Sequence, residues 1–579
     1  MIDPAAYARL DSAAAPAFSR DGRRLFHLRG AGLQQVWELD LDSGASRALT
    51  MHDEKVSLLR RAPGDDRLVY AIDAGGDERH QLWLLEDGVS RPLTEDGAVV
   101  HGMGAWSPDG TRISFTANDR DPAHFDVLVM ELASGRRERL FAGTNEGTVG
   151  AWNADGRMVA VIDRTTTDQR PVILSAGGEP APLPRAGVAR YASLRWDGKA
   201  LLGLSDAGGL PDVALCRIDL VSGAATPVHA PPGRDVDGWA LSSAGLLATL
   251  ENDRGWSVLR VGPRDGERPV VAIPPGVAAD LAWSGDGTSL AFSFSAPTRP
   301  GGLWIWEGGT ARAVWEPDCD LPLVEFGLAG WTGYEALGIA GWLAVPPGPA
   351  PASGFPAVVW VHGGPAMQCR PNFRPDMQAL LAQGHAVLMP NVRGSTGYGR
   401  AFMDADDVEK RLESVHDLAA GRHWLAARPE IDADRIAVMG QSYGGYMVLA
   451  AVTEYPALWC CAIDFYGIAD FETLLDATGP WRRSHRAAEY GDPVRHRALF
   501  DRISPIRHID RVRVPLLVLH GTRDPRVAIG ESEQVVAALR ADGRPVTYEV
   551  FDYAGHGFVR PDDKARVATA VAGFLAERL

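Results

Sequence analysis

Two patterns of apolar and polar positions divide the chain. Between about residues 15 and 318, short stretches alternate apolar with polar residues, the period that gives a strand one buried face. A landmark recurs among them: a small or aromatic residue, a serine or its equivalent, then an Asp-Gly turn. Clear copies are Ala17-Phe18-Ser19-Arg20-Asp21-Gly22, Trp106-Ser107-Pro108-Asp109-Gly110, Trp152-Asn153-Ala154-Asp155-Gly156 and Trp283-Ser284-Gly285-Asp286-Gly287. Trp196-Asp197-Gly198 is a shortened copy, and weaker ones begin near Ala62 and Ser242. With positions 18, 62, 106, 152, 196, 242 and 283 taken as equivalent, the spacings are 44, 44, 46, 44, 46 and 41. A second alternating stretch with its own turn follows each copy, as in 36–50, 81–94 and 126–141. A steady period near 44 with four short strands per unit predicts a β-propeller, here of seven blades. The competing reading is an all-β sandwich with coincidental turns, and seven repeats in register speak against it.

After about residue 320 the period changes. Apolar strands are expected at 357–362, 385–390, 435–440, 460–466, 515–520 and 547–553. Helical stretches are expected at 374–383, 403–427, 445–453, 531–541 and 563–579. Continuous apolar strands separated by helices indicate a mostly parallel sheet covered on both faces. The expected division is an N-terminal extension over 1–14, a propeller over 15–318 and an α/β domain, read as α/β-hydrolase from its serine motif, over 319–579. The extension reads as a short helix packed on one domain. Pro317, Pro322 and several glycines give 318–335 the composition of a linker.

Composition narrows the function classes. Hydrophobic residues make up 46% and charged residues 23% of the 579, ordinary for a globular protein. A net charge of −16 and the absence of a basic stripe exclude nucleic acid and anionic membrane as expected partners. No run reaches the roughly 18 apolar residues of a membrane span. The first ten residues lack the basic and apolar regions of a secretory leader. Cys216, Cys319, Cys369, Cys460 and Cys461 are odd in number and form no CxxC pair, which fits a reducing cytoplasm better than disulfides or structural zinc. No metal and no cofactor are expected, and a homo-oligomer is left open.

The chemistry resides in one constellation. Arg435 to Tyr446 reads as a strand entering Gly440-Gln441-Ser442-Tyr443-Gly444 and then a helix. A serine on such a strand-to-helix turn needs small neighbours two residues away on each side so that the turn closes. The amide of Tyr443, at the helix start, is then placed to donate to an oxyanion. A serine hydroxyl needs a base to remove its proton. In this chain order an acid and then a histidine should follow, each on a loop after a later strand. Asp524 stands after the strand 515–519, and His556 lies between Gly555 and Gly557 after the strand 548–553. His520 and His362 are rival bases, but they come at the wrong points of the chain. Val361-His362-Gly363-Gly364-Pro365 ends an early strand, and its glycine-rich turn is the expected second oxyanion donor, from Gly363, Gly364 or the His362 position.

These motifs resemble the prolyl oligopeptidase family of serine peptidases. The matches are His-Gly-Gly-Pro at 362–365, Asn391 to Gly399, Gly-Gln-Ser-Tyr-Gly-Gly-Tyr at 440–446, Tyr490 to Pro493, Ser504 to Ile506, His520 to Val527 and Gly555 to Gly557. The details are most similar to its acylaminoacyl-peptidase and dipeptidyl-aminopeptidase-like branch. The resemblance implies acylation of Ser442, with His556 as base and then acid and Asp524 orienting the imidazole. It implies a propeller that admits only short peptides. It assigns Arg526, two residues after the acid, to a substrate carbonyl, a task suited to a guanidinium, whereas Arg393 braces the hydrolase loops. The Glu-Glu motif by which dipeptidyl-releasing members hold a free amino terminus is absent. Glu78 matches a second-blade position that faces the site in some relatives, and a plain hairpin-turn charge is the alternative. The specificity pocket is expected from 465–475, with Tyr466, Phe471, Leu474 and Trp481 lining it. A second function remains open on the same triad: an amide hydrolase or esterase acting on a small non-peptide metabolite or drug. A third, a propeller scaffold with an inactive hydrolase domain, sits poorly with an intact triad.

Overall fold

The computed structural model describes residues 2–162, 165, 168–184 and 187–579. Seven antiparallel sheets follow one another from Ala13 to Trp315: six of four strands and one, Asp235 to Pro263, of three. Each is built from consecutive strands, so the chain forms the seven-bladed propeller its period predicts. The landmark closes the hairpin between the first two strands of a blade. In three blades the serine hydroxyl donates to the turn aspartate, from Ser19 to Asp21 at 2.6 Å, Ser107 to Asp109 at 2.5 Å and Ser284 to Asp286 at 2.5 Å. The following glycines, Gly22, Gly110 and Gly287, have φ near +70°, where a β-carbon is strained.

The tryptophans explain the rest of the repeat. The indole N–H of Trp106 donates to Arg60 O, Trp152 to Ala105 O, Trp196 to Ala151 O and Trp283 to Ala240 O, at 3.0–3.3 Å. Each crosses to the previous blade, so one side chain fills the interface between blades and satisfies a backbone carbonyl. Trp239 does the same with Ser193 O at 3.2 Å. In that blade Ser242, not the following Ser243, holds the turn, its Oγ accepting from Leu246 N at 2.9 Å. Its register is therefore one residue off the equivalence drawn from spacing. The ring closes by packing Ala13, Phe18, Leu25 and Leu39 of the first blade against Ala291, Leu303 and Ile305 of the last.

The C-terminal domain is an eight-stranded sheet: β1 Gly327–Thr332, β2 Gly338–Ala344, β3 Phe355–Val361, β4 Ala386–Asn391, β5 Ile431–Gln441, β6 Ala462–Phe465, β7 Leu516–Gly521 and β8 Val546–Phe551. The order is β1-β2-β4-β3-β5-β6-β7-β8, antiparallel for the first two pairings and parallel beyond. The first two strands correct the linker reading of 318–335. Their glycines mask the strand period, and the pairing with β4 is what makes them strands.

One face carries α3 Arg411–Ala426, α4 Tyr443–Glu454 and α5 Gly530–Ala541, and the other α2 Pro375–Ala382 and α6 Pro561–Arg578. The helix expected over 403–427 starts only at Arg411, because 404–406 and 408–410 form separate 3₁₀ turns. A short N-terminal helix, α1 Pro4–Ala8, opens with Asp3 capping Ala5 N at 3.0 Å. It packs on α2 and α6, with Tyr7 Oη donating to Pro322 O at 2.9 Å. Polar contacts span the two domains, among them Arg370 with Asp237 at 2.6 Å and Asn252 with Gln368 at 2.9 Å. The C-terminal ends of β3, β5, β7 and β8 therefore gather on one edge, close to the propeller.

Candidate active site

The turn after β5 closes only around small residues. A β-carbon on Gly440 would lie 2.4 Å from Gly444 O, and one on Gly444 would lie 2.2 Å from Val361 O. Between them Ser442 takes φ 58° and ψ −119°, a strained conformation for a side chain other than glycine. Its own N–H donates to Phe465 O at 2.9 Å and its carbonyl accepts from Tyr446 N at 3.0 Å, which fixes the strained residue between β6 and α4.

Three loops bring the expected partners together. His556 Nε2 lies 2.9 Å from Ser442 Oγ, and His556 Nδ1 lies 2.6 Å from Asp524 Oδ2. Asp524 Oδ1 accepts from the amides of Arg526 at 2.8 Å and Val527 at 2.9 Å. Burial opposes ionisation of this carboxyl, but the His556 imidazole beside it and these donors outweigh burial and hold its pKa below the usual value. The rival histidines are occupied elsewhere. His520 is held between Ser532 Oγ at 2.7 Å and Val527 O at 3.0 Å, and burial lowers its pKa. The ring of His362 lies 2.7 Å from Gly363 O and 2.9 Å from Ser395 Oγ, with its pKa lowered to about 4 by burial. Its imidazole is thus taken up by the turn after β3.

That backbone is close. A β-carbon on Gly363 would lie 3.4 Å from the Ser442 Cβ, so the 363–364 segment runs directly beside the serine. Tyr443 is the first residue of α4, and the first N–H groups of a helix have no partner within it. The phenol of Tyr443 is buried and donates to Asp406 at 2.9 Å, with Arg411 at 3.1 Å and Ser414 Oγ at 3.0 Å. Asp406, Asp407 and Glu489 are a grouping of carboxylates with oxygens within 4.8 Å of one another. The buried Arg411 guanidinium contacts all three, serving as the counter-ion that a metal would otherwise provide.

The propeller enters the site through one loop of its second blade. Gly555 N donates to Gly75 O at 2.8 Å, and Tyr553 Oη donates to Glu54 at 2.7 Å. Glu78 is an inter-domain group and not a plain hairpin charge: one carboxylate oxygen takes Arg526 Nε at 2.5 Å and the other takes Arg482. Burial opposes its ionisation, but the guanidiniums of Arg482 and then Arg526 outweigh it and lower its pKa. Arg482 had no signal in the sequence, because its partner comes from 404 residues away. Tyr466 packs against His556 with ring centres 4.7 Å apart and donates to Gln441 Oε1 at 3.2 Å. Trp481 is half-buried next to Arg482. Phe471 and Leu474 are a correction: they are 0% and 1% exposed, packed with Tyr446, Tyr490 and Phe500 in the core, and line no subsite. Their helix, Phe471–Ala477, turns that face inward. Arg393 braces loops as expected, bonded to Asp417 at 2.7 Å and to Tyr334 O at 2.8 Å.

A profile of the prolyl oligopeptidase family matches residues 371–579. Dipeptidyl aminopeptidase BIII of Pseudoxanthomonas mexicana is 30% identical over 599 residues, covering 97% of this chain and 86% of that protein. Among solved structures, a puromycin hydrolase superposes with a TM-score of 0.88 at 22% identity, over 100% of this chain and 96% of the other. The acylaminoacyl peptidase of Pyrococcus horikoshii gives 0.79 at 19% identity, over 100% and 97%. These two likenesses show a shared fold.

Proposed function

Because this chain belongs to the prolyl oligopeptidase family and is a peptidase of that type, we propose that it hydrolyses short peptides through Ser442, His556 and Asp524. The observation that carries the reading is the unbroken hydrogen-bonded relay from Ser442 Oγ through the His556 ring to Asp524, at 2.9 and 2.6 Å. In it His556 takes the serine proton as Oγ attacks the substrate carbonyl, then returns it to the leaving amine. Asp524, held ionised by two backbone amides, keeps Nδ1–H of the ring pointed at itself and Nε2 pointed at the serine. The amides of Tyr443 and of the 363–364 turn receive the oxyanion. Arg526, with its guanidinium partly exposed, holds a substrate carbonyl. The second-blade loop, bonded at Gly75 to the histidine loop, makes the propeller a lid that limits substrates to short peptides. The five free thiols support a reducing compartment, the cytoplasm.

The test has two arms. A fluorophosphonate should label Ser442 and leave Ser442→Ala unlabelled. Chromogenic amides with acetyl-aminoacyl, free aminoacyl and dipeptidyl, or blocked internal sequences should then turn over well above simple esters. Peptide turnover no better than the ester background would assign the triad to a small non-peptide amide or ester instead. Absence of labelling would remove the serine-nucleophile reading altogether.

A further inference from the structure

A cavity of about 490 Å³ lies behind the histidine loop; His556, Gly557 and Phe558 line it and Ser442 does not. Its walls come from α1, α2, α6, the ends of β5 and β6, and the propeller residues Gly32 and Lys55. They are largely apolar, with Trp360, Met439, Phe465, Phe558, Val567 and Val571 among them. Four charged side chains also face it: Lys55, Arg374, Asp376 and Lys564. Arg374 and Asp376 neutralise each other at 2.6 Å, with the guanidinium stacked 4.0 Å from the Trp360 ring.

Among the described residues neither lysine is in a close ion pair, and the carboxylate felt by Lys55 is the more distant Asp73. Lys564 Nζ reaches only Ala31 O among the described residues, at 3.4 Å, and Lys55 makes no close ion pair or hydrogen bond among them. The neighbouring Glu54 is already engaged by Tyr553 Oη and Gly75 N. An adjoining cavity of about 420 Å³ is lined by both lysines too, so they stand where the two spaces meet. Two ammonium groups without a directly paired carboxylate over an apolar chamber are unusual in a chain of net charge −16. Burial and the proximity of Lys55 both lower the pKa of Lys564, the response of a cation that lacks an anion.

We propose that this cavity binds an amphipathic monocarboxylate of fatty-acid type, its apolar body in the chamber and its carboxylate between Lys55 and Lys564. One lysine belongs to the propeller and the other to the hydrolase domain, so the ligand joins the two domains next to the histidine loop. This inference does not depend on the peptidase reading, because binding is measured without turnover.

The experiment is calorimetric titration of the full chain with sodium hexanoate, octanoate and decanoate below their micelle concentrations, and with decan-1-ol. One-to-one binding is expected, strengthening about fourfold per added methylene, with decanoate at least tenfold tighter than decanol. The double variant Lys55→Met with Lys564→Met should erase the difference between decanoate and decanol. Ala568→Trp, which fills the chamber from α6, should abolish binding of both while Ser442 still labels with fluorophosphonate. Affinity that is flat with chain length, undiminished by either variant, or absent in the parent protein would overturn the proposal. If the double variant does not fold, Ala568→Trp alone decides it.

Discussion

Replacing Gly555 by alanine isolates the role of the propeller in positioning His556. A β-carbon at Gly555 would meet Gly76 O at 1.9 Å and Gly76 C at 2.3 Å, both backbone atoms, whereas real β-carbons essentially never approach within 3.0 Å. One loop must therefore withdraw by about 1.1 Å, the difference between 3.0 and 1.9 Å. The histidine loop is the one expected to move, since Gly75 is pinned by its N–H to Glu54 at 2.9 Å and its carbonyl carries the bond to Gly555. A displacement of that size at a reacting group costs about 10²-fold in rate, near 2.7 kcal/mol of transition-state stabilisation. The assay is kcat/KM on the best chromogenic peptide, with labelling kinetics at Ser442 and a thermal melt alongside. Gly530→Ala is the control, because a β-carbon there meets nothing within 4 Å. It should leave all three readouts unchanged. A kcat/KM for Gly555→Ala within about threefold of the parent, in a folded protein, would refute the claim that the second-blade loop sets the place of His556.

Other outcomes are expected from the same geometry. Ser442→Ala and His556→Ala should each abolish turnover to a similar extent, since the relay acts as a unit, and Asp524→Asn should cost roughly 10⁴-fold in kcat. Tyr443→Phe removes a buried hydroxyl that donates to Asp406 at 2.9 Å. A loss of about 1–3 kcal/mol in a denaturant melt is expected, larger than its effect on KM. Glu251, 1% exposed, accepts from His229, Arg234 and Arg260; burial opposes its ionisation, but these donors hold its pKa at about 2 against an ordinary 4.5. A depressed carboxyl contributes stability that is present above the unfolded value and lost as pH falls through the folded one. The parent should therefore lose roughly 3 kcal/mol between pH 5 and pH 2 from this residue alone. Glu251→Gln should show a correspondingly flatter acid melt, and an unchanged slope would contradict the assignment.

Much of the fold and the relay was legible in the sequence because their causes are local. The landmark serine, aspartate and glycine close a hairpin by contacts two to five residues apart, so three blades repeat them in full. Gly440 had to be small for the turn carrying Ser442 to close, and its clash with Gly444 O lies within five residues, whereas Gly444 is held small by Val361 O across the sheet. Asp524 and His556 could be ordered because strand ends of a parallel sheet fall on one edge. Other features depend on what meets across the fold. The hairpin at 327–344 is too rich in glycine to declare itself as strand, and pairing with β4 decides it. The burial of Phe471 and Leu474 follows from the face their helix presents to Tyr446 and Tyr490. Glu78, Arg482 and the Gly75–Gly555 bond exist only because a propeller loop docks on the histidine loop. Strand and turn preferences act through neighbours along the chain and are written in it locally. The docking of one domain on the other is set by the shape and charge of surfaces assembled from distant residues, and only the folded structure brings those together.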